Sequence, residues 1–213
     1  HTFALISFIL VPLWSGGCSI ILRPEMIVSN PVCWFETVHK YKVTCTGGPN
    51  YLLSLLTSGA ENCENEHFCL DSIKRLILGA EVIRADTIER FVHAAARFGF
   101  CENRLSISYG LTESCSAVTL TPAFEALLSA YTDGERASFE NTRTGSRVYS
   151  VGRPIEGVTA KILDNTGLDT AEDGHVGEIL LHGEAVFDGY TNSDEKPFIT
   201  IDSDICLRTG DLG

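Results

Sequence analysis

Between residues 33 and 41, Trp34, Val38 and Tyr41 recur at helical spacing, and the β-branched run at 43–46 then stops at Gly47-Gly48-Pro49. The alternation continues. An apolar helix is expected at 51–56, a strand at 73–78 ending in Gly79, and a helix at 86–98. Ile88, Phe91, Val92, Ala95 and Phe98 line one face of that last helix, and Gly99 stands where a C-cap glycine belongs. Residues 104–108 alternate as a strand and run into Tyr109-Gly110. Strand and helix in turn are the signature of a parallel sheet with crossover helices, and ligands gather at the C-terminal ends of such strands.

The pattern changes after a polar, glycine-containing stretch at 132–146. Residues 147–151, 158–163 and 177–182 read as short strands separated by Gly, Asp and Asn turns, with no good helix between them. The expected fold class is therefore α/β: a mainly parallel sheet with crossover helices, followed by a β-rich subdomain. Residues 1–131 form the α/β portion, 132–145 a polar connecting segment and 146–213 the β-rich part. Residues 3–22 are largely apolar, but Pro12 and Gly16-Gly17 interrupt them before a membrane span of about 20 residues is complete. A buried helix, a glycine turn and a strand at 18–22 are expected there, ended by Arg23-Pro24, with no stable membrane insertion.

Composition narrows the function classes. With 213 residues, 44% of them hydrophobic, the chain can build a core without metal or disulfide staples. Sixteen Lys and Arg against 28 Asp and Glu give a net charge of −12, which opposes a nucleic-acid partner. The eight cysteines are scattered, mostly in apolar runs and without a CxxC pair, so buried thiols in a reducing, cytoplasmic compartment are expected. His39, His67, His93, His175 and His182 have no ligand spacing for zinc, and no Gly-x-Ser-x-Gly elbow is present.

Three strand-to-turn junctions carry candidate chemistry: Leu78-Gly79-Ala80-Glu81, Ser108-Tyr109-Gly110-Leu111-Thr112-Glu113, and Leu207-Arg208-Thr209-Gly210-Asp211. Glycine lets backbone approach a ligand closely, Tyr109 offers a flat face for a base, Thr112 a hydroxyl for a phosphate oxygen and Glu113 a hard carboxylate for a divalent cation. Taken singly, each junction also reads as a structural turn, with Thr112 as an N-cap, Glu113 as a first-turn carboxylate and Asp211 as a solvated loop residue.

Five segments occur in order: YGLTE at 109–113, VGRP at 151–154, GEI at 177–179, GY at 189–190 and TGD at 209–211. In this order they resemble the adenylate-forming enzymes, which include acyl-CoA synthetases, non-ribosomal adenylation domains and fatty acyl-AMP ligases. The likeness runs from His1, in HTFALI, to the aspartate motif. The stretches WFETVHKYKVTCTGGPNY, LILGAEVIRADTIERF and CLRTGDLG are most similar to the fatty acyl-AMP ligases. Thirty-seven residues separate Glu113 from Val151, where those ligases carry an insertion, although 122–144 reads equally as a variable surface loop. Thr2 stands where that branch usually has Asp, and Thr112 where it usually has Ala.

The resemblance implies an ANL-type N-terminal domain and a set of roles. Tyr109 would stack on adenine, with Gly79, Ala80 and Glu81 on the opposite wall and Ser108 and Gly110 beside the purine. Thr112 would contact phosphate, Glu113 would hold Mg²⁺, Asp211 would accept from the ribose hydroxyls, and His1 would sit near the reacting carboxylate. It further implies ATP and Mg as cofactors, a fatty acid as substrate and an acyl carrier protein or CoA as acceptor. The family's phosphate loop would lie before His1 and its catalytic lysine after Gly213, so the chain is expected to be a central piece, inactive by itself. Two other readings stand beside this one: an acyl-CoA synthetase or amino-acid adenylation domain, and a non-catalytic adenylate-binding interaction module.

Overall fold

A computed structural model of the chain describes all residues except 1, 65–66, 123, 126, 133–136, 139–145, 165, 168 and 192–196. It opens in a helical stretch, α1 (Thr2–Leu5), a π-helical turn (Ile6–Leu10) and α2 (Val11–Trp14), which Gly16 ends in the left-handed region at φ 72°. Helix α3 (Pro24–Ser29) starts on Pro24, whose missing N–H costs nothing in a first turn. Helix α4 (Val32–Tyr41) turns Trp34, Phe35 and Val38 inward and leads into β1 (Cys45–Gly48). Helix α5 (Asn50–Glu61), β2 (Arg75–Leu78), α6 (Ala85–Ala95) and β3 (Leu105–Gly110) complete two crossovers. Gly99, at φ 84°, closes the 3₁₀ turn after α6.

The three strands pair in parallel, with Gly48 opposite Leu78 and Leu78 opposite Ile107. Strand β4 (Ala117–Leu120) then returns antiparallel along β3. Strands β5 (Ser129–Thr132), β6 (Ala137–Ser138) and β7 (Ser146–Tyr149) make a small antiparallel sheet, and β8 (Arg153–Pro154) joins β4 at the edge of the first one. Finally β9 (Val158–Leu163), β10 (Glu178–Gly183), β11 (Phe198–Ile201) and β12 (Asp204–Leu212) form an antiparallel sheet in the order β11-β12-β10-β9. The fold is α/β with a second, β-rich layer. The first sheet is mixed, because β4 pairs antiparallel with β3 and β8 pairs antiparallel with β4.

Phe35, Leu53, Leu56, Leu76, Leu78, Ile88, Phe91, Leu105 and Ile107 are all completely buried in the core that joins the helices to the first sheet. A second cluster of Val118, Leu181 and Leu207, with Tyr109 and Leu111 packed against it, ties the β-rich sheet to the end of β3. Removing such area from water is the main driving force for holding the two sheets together.

Three expectations change. Residues 18–22 form no strand, since they join none of the sheets, whose first strand in the chain is β1; Ile21 is 72% exposed. The helix before them buries no residue, since apolar side chains run around its whole circumference and one packing face covers only part of them. Of the eight thiols, all free, only Cys63 and Cys206 are buried, while Cys18, Cys45, Cys101 and Cys115 are exposed, Cys18 in the stretch between α2 and α3 and the other three where a strand or turn begins or ends. Most of the polar connecting segment lies outside the described residues. Among the described residues no helix is long and apolar enough to cross a membrane.

Phe91 sits in the centre of the first core and touches Phe100 edge to face, with ring centroids 5.2 Å apart. Phe91→Ala is expected to lower the unfolding free energy by about 3–5 kcal/mol, read as a shift of the urea midpoint at constant slope. A loss below about 1 kcal/mol would contradict this placement of the core.

Candidate active site

The C-terminal ends of β2 and β3 meet where glycine removes side-chain bulk. A Cβ on Gly79 would stand 2.7 Å from the Ser108 hydroxyl oxygen and 2.9 Å from the Ser108 carbonyl oxygen. A Cβ on Gly110 would lie 1.7 Å from the carbonyl oxygen of Ser116, so the hairpin after β3 can close only over a glycine. Between these points Ala80 adopts φ 68°, a strained conformation for a residue with a Cβ. Beyond Gly110 the chain is extended at Leu111, makes a 3₁₀ turn over Thr112–Ser114 and doubles back at Cys115 (φ 69°) into β4. The turn projects Thr112 and Glu113 outward from the strand end. Leu111, not Thr112, is the residue before the turn, and no side chain caps it. The structural reading of Thr112 as an N-cap therefore does not hold.

A cleft of about 230 Å³ opens at this junction, lined by Thr2, Ala80, Ser108, Gly110, Thr112 and Glu113 among others. The hydroxyls of Thr2 and Thr112 lie 3.3 Å apart across it. Ser108 is buried and donates a long, 3.4 Å hydrogen bond to the carbonyl of Leu78. Gly79 is buried and Glu81 is exposed, and neither lines the cleft. His1 lies outside the described residues.

Successive side chains on a strand point to opposite faces, so Tyr109 leaves β3 on the other side from Ser108. There its hydroxyl donates to Oδ2 of Asp211 at 2.7 Å, joining positions 102 residues apart. Glu113 is held from the same layer: the Tyr190 hydroxyl donates to its Oε1 at 2.9 Å, and the Phe187 N–H donates to its carbonyl at 2.8 Å. Phe187 and Tyr190 pack edge to face at 4.8 Å. Burial raises the ionisation of the Tyr109 phenol well above the usual tyrosine range, and the Asp211 carboxylate beside it adds to the shift. Among the described residues lining the cleft there is no lysine or arginine.

Of the residues singled out from sequence, Ala80, Ser108, Gly110, Thr112 and Glu113 share one cleft, and Tyr109 and Asp211 pair beside it. The sequence reading missed Tyr190, Phe187 and Thr2 as contacts, and also Glu178, whose carboxylate receives Arg208 and the Gly210 N–H. Tyr190 and Glu178 each lie in one of the five ordered segments, which is the signal that points to them. A single hard carboxylate, Glu113, faces the cleft, and no group of three or more His, Cys, Asp or Glu side chains forms a metal site among the described residues. One carboxylate suits a cation that takes its other ligands from phosphate oxygens and water.

The raised ionisation of Tyr109 has a definite sign. Stability from this group is complete below about pH 10, the unfolded tyrosine value, and is lost as pH rises through the higher folded value. In a spectrophotometric titration Tyr109→Phe should remove one late-ionising phenol and flatten the alkaline decline in stability. An unchanged alkaline limb would contradict the Tyr109–Asp211 bond.

A family model described as AMP-binding enzyme matches residues 1–191. The medium-chain fatty acid acyl-carrier-protein ligase JamA of Moorena producens (strain JHB) is 28% identical, covering 100% of this chain and 39% of that protein. A putative fatty-acid CoA ligase, fadD21 of Mycobacterium leprae (strain TN), is 26% identical, again over 100% and 39%. Among solved structures, the fatty acyl-adenylate ligase from L. pneumophila in complex with acyl adenylate and pyrophosphate superposes with a TM-score of 0.89 at 31% identity, covering 100% of this chain and 39% of that one. The chain thus spans about two fifths of the length of these relatives. With the match to the family model extending over nearly all of its residues, the chain belongs to the AMP-binding enzyme family.

Proposed function

We propose that the chain carries the adenylate-binding part of a fatty acyl-AMP ligase, which joins a fatty acid to ATP, releases pyrophosphate and passes the acyl group to a carrier-protein thiol. What supports this reading is the bond between Tyr109 and Asp211, which sets an aromatic ring and a carboxylate side by side at the end of β3, next in the chain to the cleft-lining Ser108 and Gly110. Adenine would lie on the Tyr109 ring, with the loop at Gly79, Ala80 and Glu81 on its other side and Ser108 and Gly110 at its edge. Asp211 has two oxygens and several lone pairs, so it can accept from ribose hydroxyls while Tyr109 fixes its orientation. Thr112 would donate to a phosphate oxygen. His1 would stand near the reacting carboxylate.

In the first step a carboxylate oxygen attacks the α-phosphorus, the bond from phosphorus to the bridging oxygen breaks, and pyrophosphate leaves. In the second a thiol sulfur attacks the acyl carbon, AMP departs, and the thiol proton goes to solvent. Both steps bring anions together beside Glu113 and Asp211, so alignment and charge neutralisation are the main demands. Glu113 would hold a magnesium ion together with the phosphate oxygens, and when bound that ion supplies positive charge the cleft lining lacks. Tyr190 occupies one side of the Glu113 carboxylate, which leaves acceptor capacity for such a ligand.

JamA is an acyl-carrier-protein ligase by its name and fadD21 a CoA ligase, so the acceptor is the point on which a CoA synthetase reading differs. In the full-length protein, pyrophosphate release should depend on a fatty acid, and acyl transfer should favour a carrier protein over CoA. Release with no acid in a broad panel would overturn the proposal. Asp211→Ala should weaken ATP binding by about 1–3 kcal/mol through lost charge-assisted hydrogen bonds, measured by calorimetry, and unchanged affinity would contradict the ribose role.

A further inference from the structure

Strands β10 and β12 do not pair evenly. Glu178 stands opposite Leu212, and Leu180 opposite Arg208, so Ile179 alone faces Thr209, Gly210 and Asp211. This is a bulge, a device that bends a strand and re-aims a side chain. It needs left-handed backbone at Gly210, φ 75°, and it takes the Gly210 N–H out of the ladder.

Glu178 repairs that loss. Its Oε1 accepts from the Gly210 N–H at 3.0 Å, and its Oε2 accepts from the Arg208 Nε at 2.9 Å and Nη2 at 2.5 Å. The Glu178 side chain is 16% exposed, so water competes weakly for these bonds. Arg208 and the Gly210 N–H accordingly hold its carboxyl below the usual glutamate range. The rest of the bulge is tied internally. The Thr209 hydroxyl donates to the Ile179 carbonyl at 2.8 Å, and the Asp211 N–H donates to the Thr209 hydroxyl at 3.1 Å. The segment so fixed ends at the carboxylate that meets Tyr109.

We infer that Glu178 is a positioning residue: by holding the bulge at residues 208–210 from both sides, it sets the direction of the Asp211 carboxylate toward the nucleoside face of Tyr109. This rests on the proposed role of Asp211 toward ribose. Glu178 touches no substrate in this account. Its effect passes through Asp211 and should vanish when Asp211 is gone.

A double-mutant cycle in the full-length protein tests that dependence, with KM for ATP and kcat measured separately. Glu178→Ala should raise KM for ATP by about tenfold, the equivalent of one charge-assisted hydrogen bond misplaced, with kcat changed less. In an Asp211→Ala background the same substitution should add nothing. Glu178→Gln keeps an acceptor for Gly210 and should recover most of the affinity. It also serves where Glu178→Ala fails to fold, since its smaller effect must likewise disappear beside Asp211→Ala. Multiplying effects in the double variant, or an unchanged KM for both Glu178 variants, would overturn the inference while leaving the ribose role of Asp211 intact. An unchanged KM in Asp211→Ala alone would instead overturn the ribose role and, with it, this inference.

Discussion

The structure depends on closure of the antiparallel sheet over the end of β3. Tyr109 lies at the end of the first sheet and Glu113 in the turn that follows it, and their partners Asp211 and Tyr190 lie 102 and 77 residues further along the chain. Hydrogen bonds alone would not secure so long a closure, since each contributes only about 1 kcal/mol net against the cost of ordering the loop. The apolar cluster of Val118, Leu181 and Leu207 does so instead, burying the seam beneath Tyr109 and Leu111. The polar contacts then choose one geometry among those the apolar seam permits.

That division of labour accounts for where strain is found. Ala80 and Cys115 take positive φ at the two turns that bound the cleft, and Gly110 allows a backbone approach no side chain would survive. Deeply buried strands on either side, with Leu76, Leu78, Leu105 and Ile107 completely enclosed, keep these turns from relaxing. The backbone around the cleft is thereby held in place by the core beneath it. The cleft itself carries one acid and no basic lining residue among those described, so in the proposed reaction the charge of an anionic substrate would have to be neutralised by a cation that binds with it.

Much of the fold was legible because periodicity and glycine punctuation agree. The helices at Val32–Tyr41 and Ala85–Ala95 and the strands ending at Gly48, Leu78 and Gly110 all lie within a few residues of their expected positions. Strand β4, Ala117–Leu120, escaped notice because four residues after a turn give no alternation to count. The end of strand β12 reads as a strand-to-turn junction because Thr209-Gly210-Asp211 carries turn residues, and only pairing with β10 reveals a bulge inside the strand. Of the site, Tyr109, Thr112, Glu113 and Asp211 were visible as residue types beside glycines. That Tyr190 and Glu178 hold two of them in place depends on long-range geometry, which no local spacing encodes.

The central claim is that Tyr109, Glu113 and Asp211 surround one nucleotide. A crystal structure with a non-hydrolysable acyl-adenylate mimic bound tests it most directly. Adenine is expected against the Tyr109 ring, with ribose hydroxyls on the Asp211 carboxylate and the phosphate mimic beside Thr112. A nucleoside bound elsewhere, with the Tyr109–Asp211 pair untouched, would contradict it.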